Sequence, residues 1–563
     1  MAPPSVLISG AGPTGLILAL VLLQNGVSVR IIEKELKHRI GSRGSGVQPR
    51  TLELYNILGI LPDIQKEGAP IATMAKYNPG EIEPSPSPKL PSGSSPPQTY
   101  RTYPNGLSIS QERHEEILRD QLQKLSCSVE LGSELRSFEQ FSDHVVAKIV
   151  KTNADGKQVE ESTNFHWLVG VDGARSIVHK QLGLSFLGET QEEHIALGDI
   201  AVEGVDPRFW HMWHVPPKLL VLRSSSSTSK VFMFAYTGRP EHLAENPPTR
   251  EEFIEEFYDV TGRRDITFGP ATWMSNWRPN LRMVDTMRSG RVFIAGGSPF
   301  MSPSRPSLNT HVPDATHCHS PTGGQGLNSS VQDAANLGGK LALVHKGLAP
   351  VALLDTYSEE RIRVIAHMLK VTTELYHKMF SGAGPADPSA WKRGSDLNML
   401  GVNYCGSLIV FEDAAGAGVS SDAYSRAAGS TVQAAYCAPD ASGLVRAGSA
   451  DAPTTLFAVF HVSMHTMLLF GGDAGAHAPV ATVLGRFPEA AVRTVLVIPQ
   501  GQTAADDGAL FSAVLEDQAG HAYAGYGLTA GELAVVVVRP NGVVGAVVSN
   551  ARGIERYFQK VLV

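Results

Sequence analysis

The pattern of apolar and polar positions predicts that the chain opens with a strand, a helix and a second strand. Short apolar runs at residues 5–9 and 28–33 predict the strands, and the stretch between them predicts a helix over residues 12–25. This helix follows a glycine turn, lacks a basic start and stops at Gln24, Asn25 and Gly26. It therefore indicates a buried helix rather than a signal peptide.

The rest of the pattern predicts a sheet, two long helices and a second set of strands. Strands are predicted at residues 145–151, 195–202 and 230–236, helices at 326–345 and 353–379, and later strands at 456–462, 494–498 and 533–539. The proline- and serine-rich residues 77–97 predict an exposed loop. Five aromatic residues near the middle strands are candidates for a pocket wall: Trp210, Trp213, Phe232, Phe234 and Tyr236.

Chain length and a shift in composition predict two domains. At 563 residues the chain exceeds the size at which one hydrophobic core keeps growing. The helical pattern breaks at residues 382–388, and the sequence beyond is richer in alanine, glycine and valine. We therefore place a boundary near residue 390, which separates an N-terminal domain over residues 1–390 from a smaller α/β domain over residues 391–563.

Composition and charge limit the classes of partner. Hydrophobic residues make up 42% of the chain and charged residues 18%, as in folded globular proteins. The net charge is -7 and the sequence has no block of basic residues, so no basic surface that would bind nucleic acid or an anionic membrane is predicted. No apolar run approaches the roughly 18 residues that span a bilayer. The four cysteines contain no CxxC pair, so we expect a reducing, cytoplasmic location.

A glycine-rich segment follows the first predicted strand and opens the first helix. Residues 10–15 fit the pattern GxGxxG, in which bare glycines let a pyrophosphate approach the backbone and the helix N-terminus. The second predicted strand ends at Glu33, whose carboxylate can accept hydrogen bonds from an adenosine ribose and would repel a 2'-phosphate. The segment predicts a site for FAD or NAD, and the alternative is a tight turn without a ligand.

Four further segments resemble those of class A flavoprotein monooxygenases. Residues 42–53 resemble the segment after the second strand, 167–176 the DG motif, 290–296 the start of the GD motif, and 321–328 the loop before the helix behind the flavin. Residues 400–404, 456–461 and 538–542 resemble the phenol hydroxylase and polyketide hydroxylase branch, which has a thioredoxin-like C-terminal domain. Without CxxC, that domain is expected to serve packing or dimer contact.

This resemblance implies an α/β fold with a Rossmann-like FAD-binding domain and an interleaved substrate-binding sheet over roughly residues 75–110 and 185–285. The residues that it implies as FAD contacts are Gly10, Gly12, Pro13, Thr14, Gly15, Glu33, Arg43, Gln111, Asp172, Asp314, Pro321, Gly323, Gly324 and Asn328. Gly323 and Gly324 precede a helix whose N-terminal dipole would stabilise negative charge on the reduced flavin. The further implied partners are NADPH, with NADH not excluded, oxygen, a small aromatic substrate and a second copy of the chain in a homodimer.

The GD-like segment departs from the family pattern. The family continues from the glycine at position 296 directly to Asp, Ala and His, whereas here Asp314 follows an insertion over residues 297–313, which is 313 - 296 = 17 residues. Removing the insertion would place Asp314 directly after Gly296 and restore the family pattern, which motivates the hypothesis of a retained intron. The alternative is a genuine surface loop rich in proline, which would displace Asp314 from the flavin.

The reaction that the resemblance implies is the reduction of FAD by a nicotinamide, followed by oxygen-dependent hydroxylation of an electron-rich ring. Phenol hydroxylases carry an acid at the position that Ser45 occupies here, so we do not expect this position to deprotonate the substrate, and the catalytic base is not assigned. The stand-ins considered are Tyr77, His211, His214 and Tyr236. His311, His317, Cys318 and His319 have metal-binding atoms, but their spacing fits no zinc-finger pattern, and we predict no metal site.

Three other functions remain open at this point. A flavin epoxidase or Baeyer–Villiger-type oxygenase would use the same fold. A protein that has lost flavin binding would be explained by the displaced Asp314 and by the serine at position 45. An NAD-dependent dehydrogenase would bind NAD at residues 10–15, but the DG-like and GD-like segments speak against it.

Overall fold

The computed structural model describes most of the chain. The described residues are 4–41, 44–85, 98–173, 176–190, 194–224, 229–239, 246–277, 280–297, 316–318, 323–380, 395–413, 422–425, 431–449, 452–502, 510–531 and 533–563. Within them, no helix is long and apolar enough to cross a bilayer.

The strands run in chain order as follows. They are β1 (Val6–Ser9), β2 (Val29–Glu33), β3 (Gly46–Val47), β4 (Ala69–Pro70), β5 (Thr73–Tyr77), β6 (Leu107–Ser108), β7 (Glu130–Leu131), β8 (Ser133–Gln140), β9 (Val145–Thr152), β10 (Gln158–Phe165), β11 (Trp167–Gly170), β12 (Phe186–Thr190), β13 (Ile195–Glu203), β14 (Phe209–Val215), β15 (Lys218–Ser224), β16 (Val231–Tyr236), β17 (Thr267–Trp277), β18 (Asn280–Val284), β19 (Arg288–Ser289), β20 (Val292–Ile294), β21 (His317–Cys318), β22 (Phe411–Glu412), β23 (Ser442–Arg446), β24 (Thr454–Thr455), β25 (His465–Phe470), β26 (Val492–Pro499), β27 (Ala513–Asp517), β28 (Ala534–Val538) and β29 (Val544–Val548).

The helices are α1 (Pro13–Gln24), α2 (Pro49–Ile57), α3 (Leu61–Glu67), α4 (Gln111–Lys124), α5 (Ile177–Leu182), α6 (Arg250–Thr261), α7 (Gly326–His345), α8 (Asp355–Phe380), α9 (Ala474–Leu484), α10 (His521–Tyr526) and α11 (Ala551–Val561). Short 3-10 helices lie at Val351–Leu354, Ser395–Asn398 and Glu489–Ala491.

The first sheet is built around the predicted βαβ unit. Its strand order is β19-β20-β11-β1-β2-β7, and β20, β11, β1, β2 and β7 are parallel where they pair. Helix α1 crosses from β1 to β2 and is buried from Gly15 to Leu22, because its apolar residues face both the sheet and α7. The opening prediction is confirmed, and the carboxyl ends of β1, β11 and β20 meet at one edge.

The second sheet has the order β17-β13-β16-β15-β14-β5 and carries α6 on one face. Four of the five aromatic residues expected in a pocket wall lie instead in the core beneath α6: Trp213, Phe232, Phe234 and Tyr236. They pack against Phe253 and Phe257 of that helix. The expectation was wrong for these four because alternate strand positions point to opposite faces, and Trp210 packs with the residues of the other face.

The third sheet forms the C-terminal part of the protein, with the order β22-β29-β28-β25-β26-β27-β23-β24. The strands predicted at 494–498 and 533–539 are present. Residues 456–462 are not a strand, because the backbone N–H groups of Val459 and Phe460 both bond to the Leu456 carbonyl oxygen and close a turn. One of the two central strands is β25, whose six residues are all buried and therefore lack the alternation of polar and apolar residues that marks a strand in sequence.

Helix α6 should depend on its stacked aromatic contact with the second sheet. The rings of Phe253 and Phe234 lie 3.9 Å apart between centroids, and both side chains are fully buried. Replacing Phe253 by alanine leaves a cavity, so Phe253→Ala should lower the free energy of unfolding by about 3–5 kcal/mol. Urea unfolding followed by tryptophan fluorescence measures this change. The exposed Leu187→Ala variant is the control, and an equal loss in both variants would contradict the assignment.

Folding should also become less favourable at acidic pH because of His465. Burial, reinforced by the charge of Arg539, lowers the pKa of this imidazole from 6.5 to about 3. Between these values the unfolded chain binds a proton that the folded chain does not, so stability is lost as pH falls. The loss from this group between pH 7 and 5 is about 2 kcal/mol. His465→Phe should give a shallower pH profile in urea unfolding, whereas Leu187→Ala, an exposed change that removes no titrating group, should keep the wild-type slope.

Candidate functional site

The glycine-rich loop between β1 and α1 combines tight packing with an open position. Gly10 has a φ of 111°, and a Cβ atom there would overlap the carbonyl oxygen of Val171. A Cβ atom on Gly15 would overlap the Gly10 carbonyl oxygen, whereas one on Gly12 would have no atom within 4 Å. Gly12 also caps α1, whose first residue is Pro13, and among the described residues no side chain bonds to this helix end. The loop therefore offers bare N–H groups and space to an anion.

Glu33 lies at the end of β2, beside this loop. Its carboxylate accepts hydrogen bonds from the backbone N–H of Ala11 at 3.1 Å and of Glu35 at 3.2 Å. An ionised carboxylate has about four acceptor positions, so these two bonds leave room for ribose hydroxyls. The structure thus places Glu33 where the sequence predicts it.

The DG-like segment follows β11 and packs against the same loop through Val171. Asp172 accepts a 2.9 Å hydrogen bond from the N–H of Ile177 at the start of α5. Its second oxygen, Oδ1, is buried without a partner in the described part of the chain, and burial raises the pKa of this carboxyl. A buried acceptor without a described partner, on a segment that packs against Gly10 of the glycine-rich loop, fits a ligand with hydroxyl or amide groups.

The turn before α7 contains Gly323 and Gly324, with φ values of 87° and 63°. Asn328, in the first turn of the helix, holds it to the rest of the molecule. Its Nδ2 donates to the carbonyl oxygens of Gly324 at 2.8 Å and Gly46 at 2.9 Å, and its Oδ1 accepts from the Gln48 N–H at 2.7 Å. The side chain of Asn328 is therefore occupied by protein backbone, and it acts by positioning the turn.

Of the remaining predicted contacts, Gln111 is described. It begins α4, and its Nε2 donates to Glu115 at 2.7 Å. Burial raises the pKa of the Glu115 carboxyl, and the charge of Glu33 contributes to the same shift. Arg43, Asp314 and Pro321 lie outside the described residues.

The end of β20 joins the glycine-rich loop to α7. A Cβ atom on Gly296 would overlap the Thr14 hydroxyl, so the two segments are in close contact. The N–H of Gly296 donates to Asp333 Oδ2 of α7 at 3.1 Å. On the far side of the insertion, the Thr316 N–H donates to the Gly296 carbonyl oxygen at 3.1 Å. The two ends of the insertion are therefore held together.

Asp333 and its partners were not predicted from the sequence. Its Oδ1 accepts a 2.7 Å bond from Arg361 of α8, and both side chains are fully buried. Although burial opposes ionisation, Arg361 and His317 lower the pKa of the Asp333 carboxyl. The sequence offers only an indirect signal. Helix α7 is rich in alanine and leucine but carries polar residues spaced by four, which do not include Asp333 itself: Asn328, Gln332, Asn336 and Lys340.

The structure shows the surroundings of the four stand-ins for a catalytic base, whose role stays a prediction. Both ring nitrogens of His211 are bonded, Nδ1 to the Tyr77 hydroxyl at 2.9 Å and Nε2 to the Asp206 carbonyl oxygen at 2.8 Å. Tyr236 is buried in the core beneath α6. His214 is half-buried, and burial and the charge of Lys76 lower its pKa.

The face of the second sheet opposite α6 carries a cross-strand row of mixed chemistry. The paired positions in this row are Met74, Trp210, Arg223, Met233, Asp199 and Trp273. Arg223 stacks over Trp210 at 5.3 Å, and Trp273 donates to Asp199 at 2.7 Å. A Cβ atom on Gly41 would overlap the Trp273 ring, so this end of the row touches the loop after β2.

Comparison with known proteins decides the family. Residues 4–372 match the family model described as FAD binding domain. A flavin-dependent monooxygenase of Mycobacteroides abscessus is 35% identical over 518 residues, which cover 88% of this chain and 96% of that protein. The chain belongs to the FAD-dependent aromatic monooxygenases. Residues 489–563 of this monooxygenase match the phenol hydroxylase C-terminal dimerisation domain, so the predicted branch is confirmed.

Two further comparisons agree with this assignment. The 6-methylpretetramide 4-monooxygenase of Streptomyces rimosus is 32% identical over 369 residues, which cover 66% of this chain and 61% of that protein. The crystal structure of the flavin-dependent monooxygenase PieE in complex with FAD and substrate superposes with a TM-score of 0.78 at 20% identity. It covers 99% of this chain and 98% of that chain, so the monooxygenase shares the whole fold.

The three glycines of the loop should respond differently to substitution. A methyl group on Gly12 enters the open space without touching the protein, so Gly12→Ala should weaken FAD binding roughly tenfold and leave the unfolding temperature of the apoprotein unchanged. Gly15→Ala should lower that temperature, because its Cβ overlaps backbone. Flavin fluorescence quenching and calorimetry separate the two effects. Equal FAD affinity in Gly12→Ala and wild type would contradict this role for the open position.

Proposed function

We propose that FAD is held by the residues gathered at the carboxyl edge of the first sheet. Gly12 and the start of α1 bind the pyrophosphate, Glu33 binds the adenosine ribose, and Asp172 accepts a hydrogen bond from the cofactor through its buried Oδ1. The turn of Gly323 and Gly324 lies at the ring system. The observation that carries this proposal is a loop that is open at Gly12 and packs through Gly10 against Val171 and Asp172, whose buried Oδ1 has no partner in the described chain.

The proposed reaction is the hydroxylation of a small aromatic molecule with NADPH and oxygen. FAD supplies the difficult chemistry, which is hydride acceptance and oxygen activation. The chain supplies orientation, exclusion of water and a positive helix end at the turn before α7. NADPH is preferred to NADH in this proposal on family grounds.

We propose that the substrate lies on the face of the second sheet opposite α6. The row from Trp210 to Trp273 offers an indole surface, a guanidinium and a carboxylate within a largely apolar face. These groups suit a phenolic or polyketide-derived aromatic with polar substituents. The name of the relative 6-methylpretetramide 4-monooxygenase supports a substrate of this class. Epoxidation or Baeyer–Villiger oxidation would use the same site, and product structure separates these outcomes.

The C-terminal dimerisation domain, over residues 391–563 in the proposed division, mediates a homodimer in this proposal. We place the enzyme in the cytoplasm, since none of its four cysteines is in a disulfide.

The insertion is proposed to be compatible with folding of the flavin site. If residues 297–313 are removed, the observed bond from Thr316 N–H to the Gly296 carbonyl becomes the bond that closes a four-residue β-turn, Gly296-Asp314-Ala315-Thr316. The long and the short connection therefore fit the same end points. The loss of flavin binding is the second candidate, favoured by the displaced Asp314.

A visible absorption spectrum tests the proposed function. The purified chain, as encoded and with residues 297–313 deleted, should show bound FAD after gel filtration, and anaerobic NADPH should bleach it faster when phenols are present. Flavin in the deletion form alone would mean that the encoded chain is a disabled form. Flavin in neither form would overturn the proposal.

A further inference from the structure

A buried carboxylate joins the two long helices to the C-terminal domain. Glu360 of α8 has a fully buried side chain and accepts two hydrogen bonds from Arg539, each of 2.8 Å. It also accepts bonds of 2.7 Å from Lys340 Nζ, Asn336 Nδ2 and Ser407 Oγ. Although burial opposes ionisation, Arg539 and Lys340 hold the pKa of Glu360 well below its usual range. The group is therefore an ionised, fully satisfied acceptor.

Arg539 reaches this carboxylate from a strand end of the C-terminal domain. It follows β28, and its guanidinium lies over the Tyr404 ring at 5.5 Å. Two residues later the Asn541 carbonyl oxygen accepts a 2.6 Å bond from Arg50 of α2. The turn after β28 is thus fixed to the N-terminal part of the molecule at two separate points.

The partners of Glu360 on α7 lie on the same continuous helix as the residue that holds the glycine turn. Successive steps of four residues turn about 40° around the helix axis, so Asn328 and Lys340 are separated by about 120° around α7 and are joined by its backbone. Asn328 binds the Gly324 carbonyl oxygen, while Asn336 and Lys340 bind Glu360. A helix of this length transmits position along its axis, about 18 Å from residue 328 to 340.

We propose that Arg539 is a positioning residue for the flavin, which sets α7 and the Gly323–Gly324 turn in place by docking on Glu360. This inference rests on the proposed function, in which that turn lies at the flavin ring. A buried ion pair adds little net stability compared with apolar packing, but it admits few geometries. The bidentate hydrogen bond from Arg539 therefore fixes one position of the C-terminal domain against helices α7 and α8. In this way the dimerisation domain helps to hold the flavin site in place.

The decisive variant is Arg539→Lys, which keeps the charge and loses the two-pronged geometry. Arg486→Lys is the matched control, because Arg486 is another arginine of the C-terminal region, paired with Glu555 at the surface. We expect Arg539→Lys to raise the dissociation constant for FAD about tenfold, and to speed hydrogen exchange of the amides at residues 326–330 in the apoprotein. The control should change neither quantity.

A second variant separates positioning from general destabilisation. In Glu360→Gln the carboxylate is gone, so adding Arg539→Lys should cause no further loss of FAD affinity. Ser407→Ala, which removes one bond to Glu360, gives a milder form if Arg539→Lys does not fold, and the same exchange signature is expected. The inference is overturned if these variants lower only the unfolding temperature, with FAD affinity and exchange at the start of α7 unchanged. Failure of wild type to bind FAD would instead defeat the proposed function, while exchange in the apoprotein still tests the coupling.

Discussion

The molecule is organised around the burial of helix α7. All seventeen consecutive residues from Asn328 to Val344 are buried. They include two asparagines, a glutamine, an aspartate and a lysine. Burying such groups is unfavourable unless each finds a partner. Each of these polar helix residues then holds one neighbouring segment in place. Asn328 bonds to the glycine turn, Asp333 bonds to the end of β20, and Lys340 bonds to Glu360, the carboxylate that binds the C-terminal domain. The need to satisfy one helix therefore determines how three parts of the chain meet.

The carboxyl edge of the first sheet depends on contacts that only small residues permit. Gly10 lies against Val171, Gly15 against Gly10, and Gly296 against Thr14. These close approaches bring the loop after β1, the DG-like segment and the end of β20 together, while Gly12 stays clear of all of them. This difference determines what the edge can bind. The packed glycines bring the backbone segments together, and Gly12 leaves a short stretch of backbone accessible to a ligand.

The sequence predicted local elements well where a helix or strand has its own pattern, as in α1 and α7. It failed where burial came from a turn, as at Leu456, or where a strand is buried on both faces and its polar and apolar residues do not alternate, as in β25. The sequence also did not show which face of the second sheet each strand residue occupies, so the prediction for Trp213 was wrong. The pair of Glu360 and Arg539 is separated by 179 residues, and no local pattern connects them. The glycine-rich loop at residues 10–15 could be predicted from the sequence, whereas the polar contacts that hold the neighbouring segments in place could not.

The insertion illustrates how little a long connection disturbs a fold when its ends are fixed. Between Gly296 and Thr316 the chain has 19 residues, where removal of residues 297–313 would leave two. The entropic cost of closing a loop grows only with the logarithm of its length, so this difference amounts to about three doublings, or roughly 2 kcal/mol. The bonds from Thr316 to Gly296 and from Gly296 to Asp333 oppose that cost directly. This small cost is consistent with the proposal that the sheet edge accepts either length of connection, in which case the effect on the cofactor depends on where the carboxylate of Asp314 is placed.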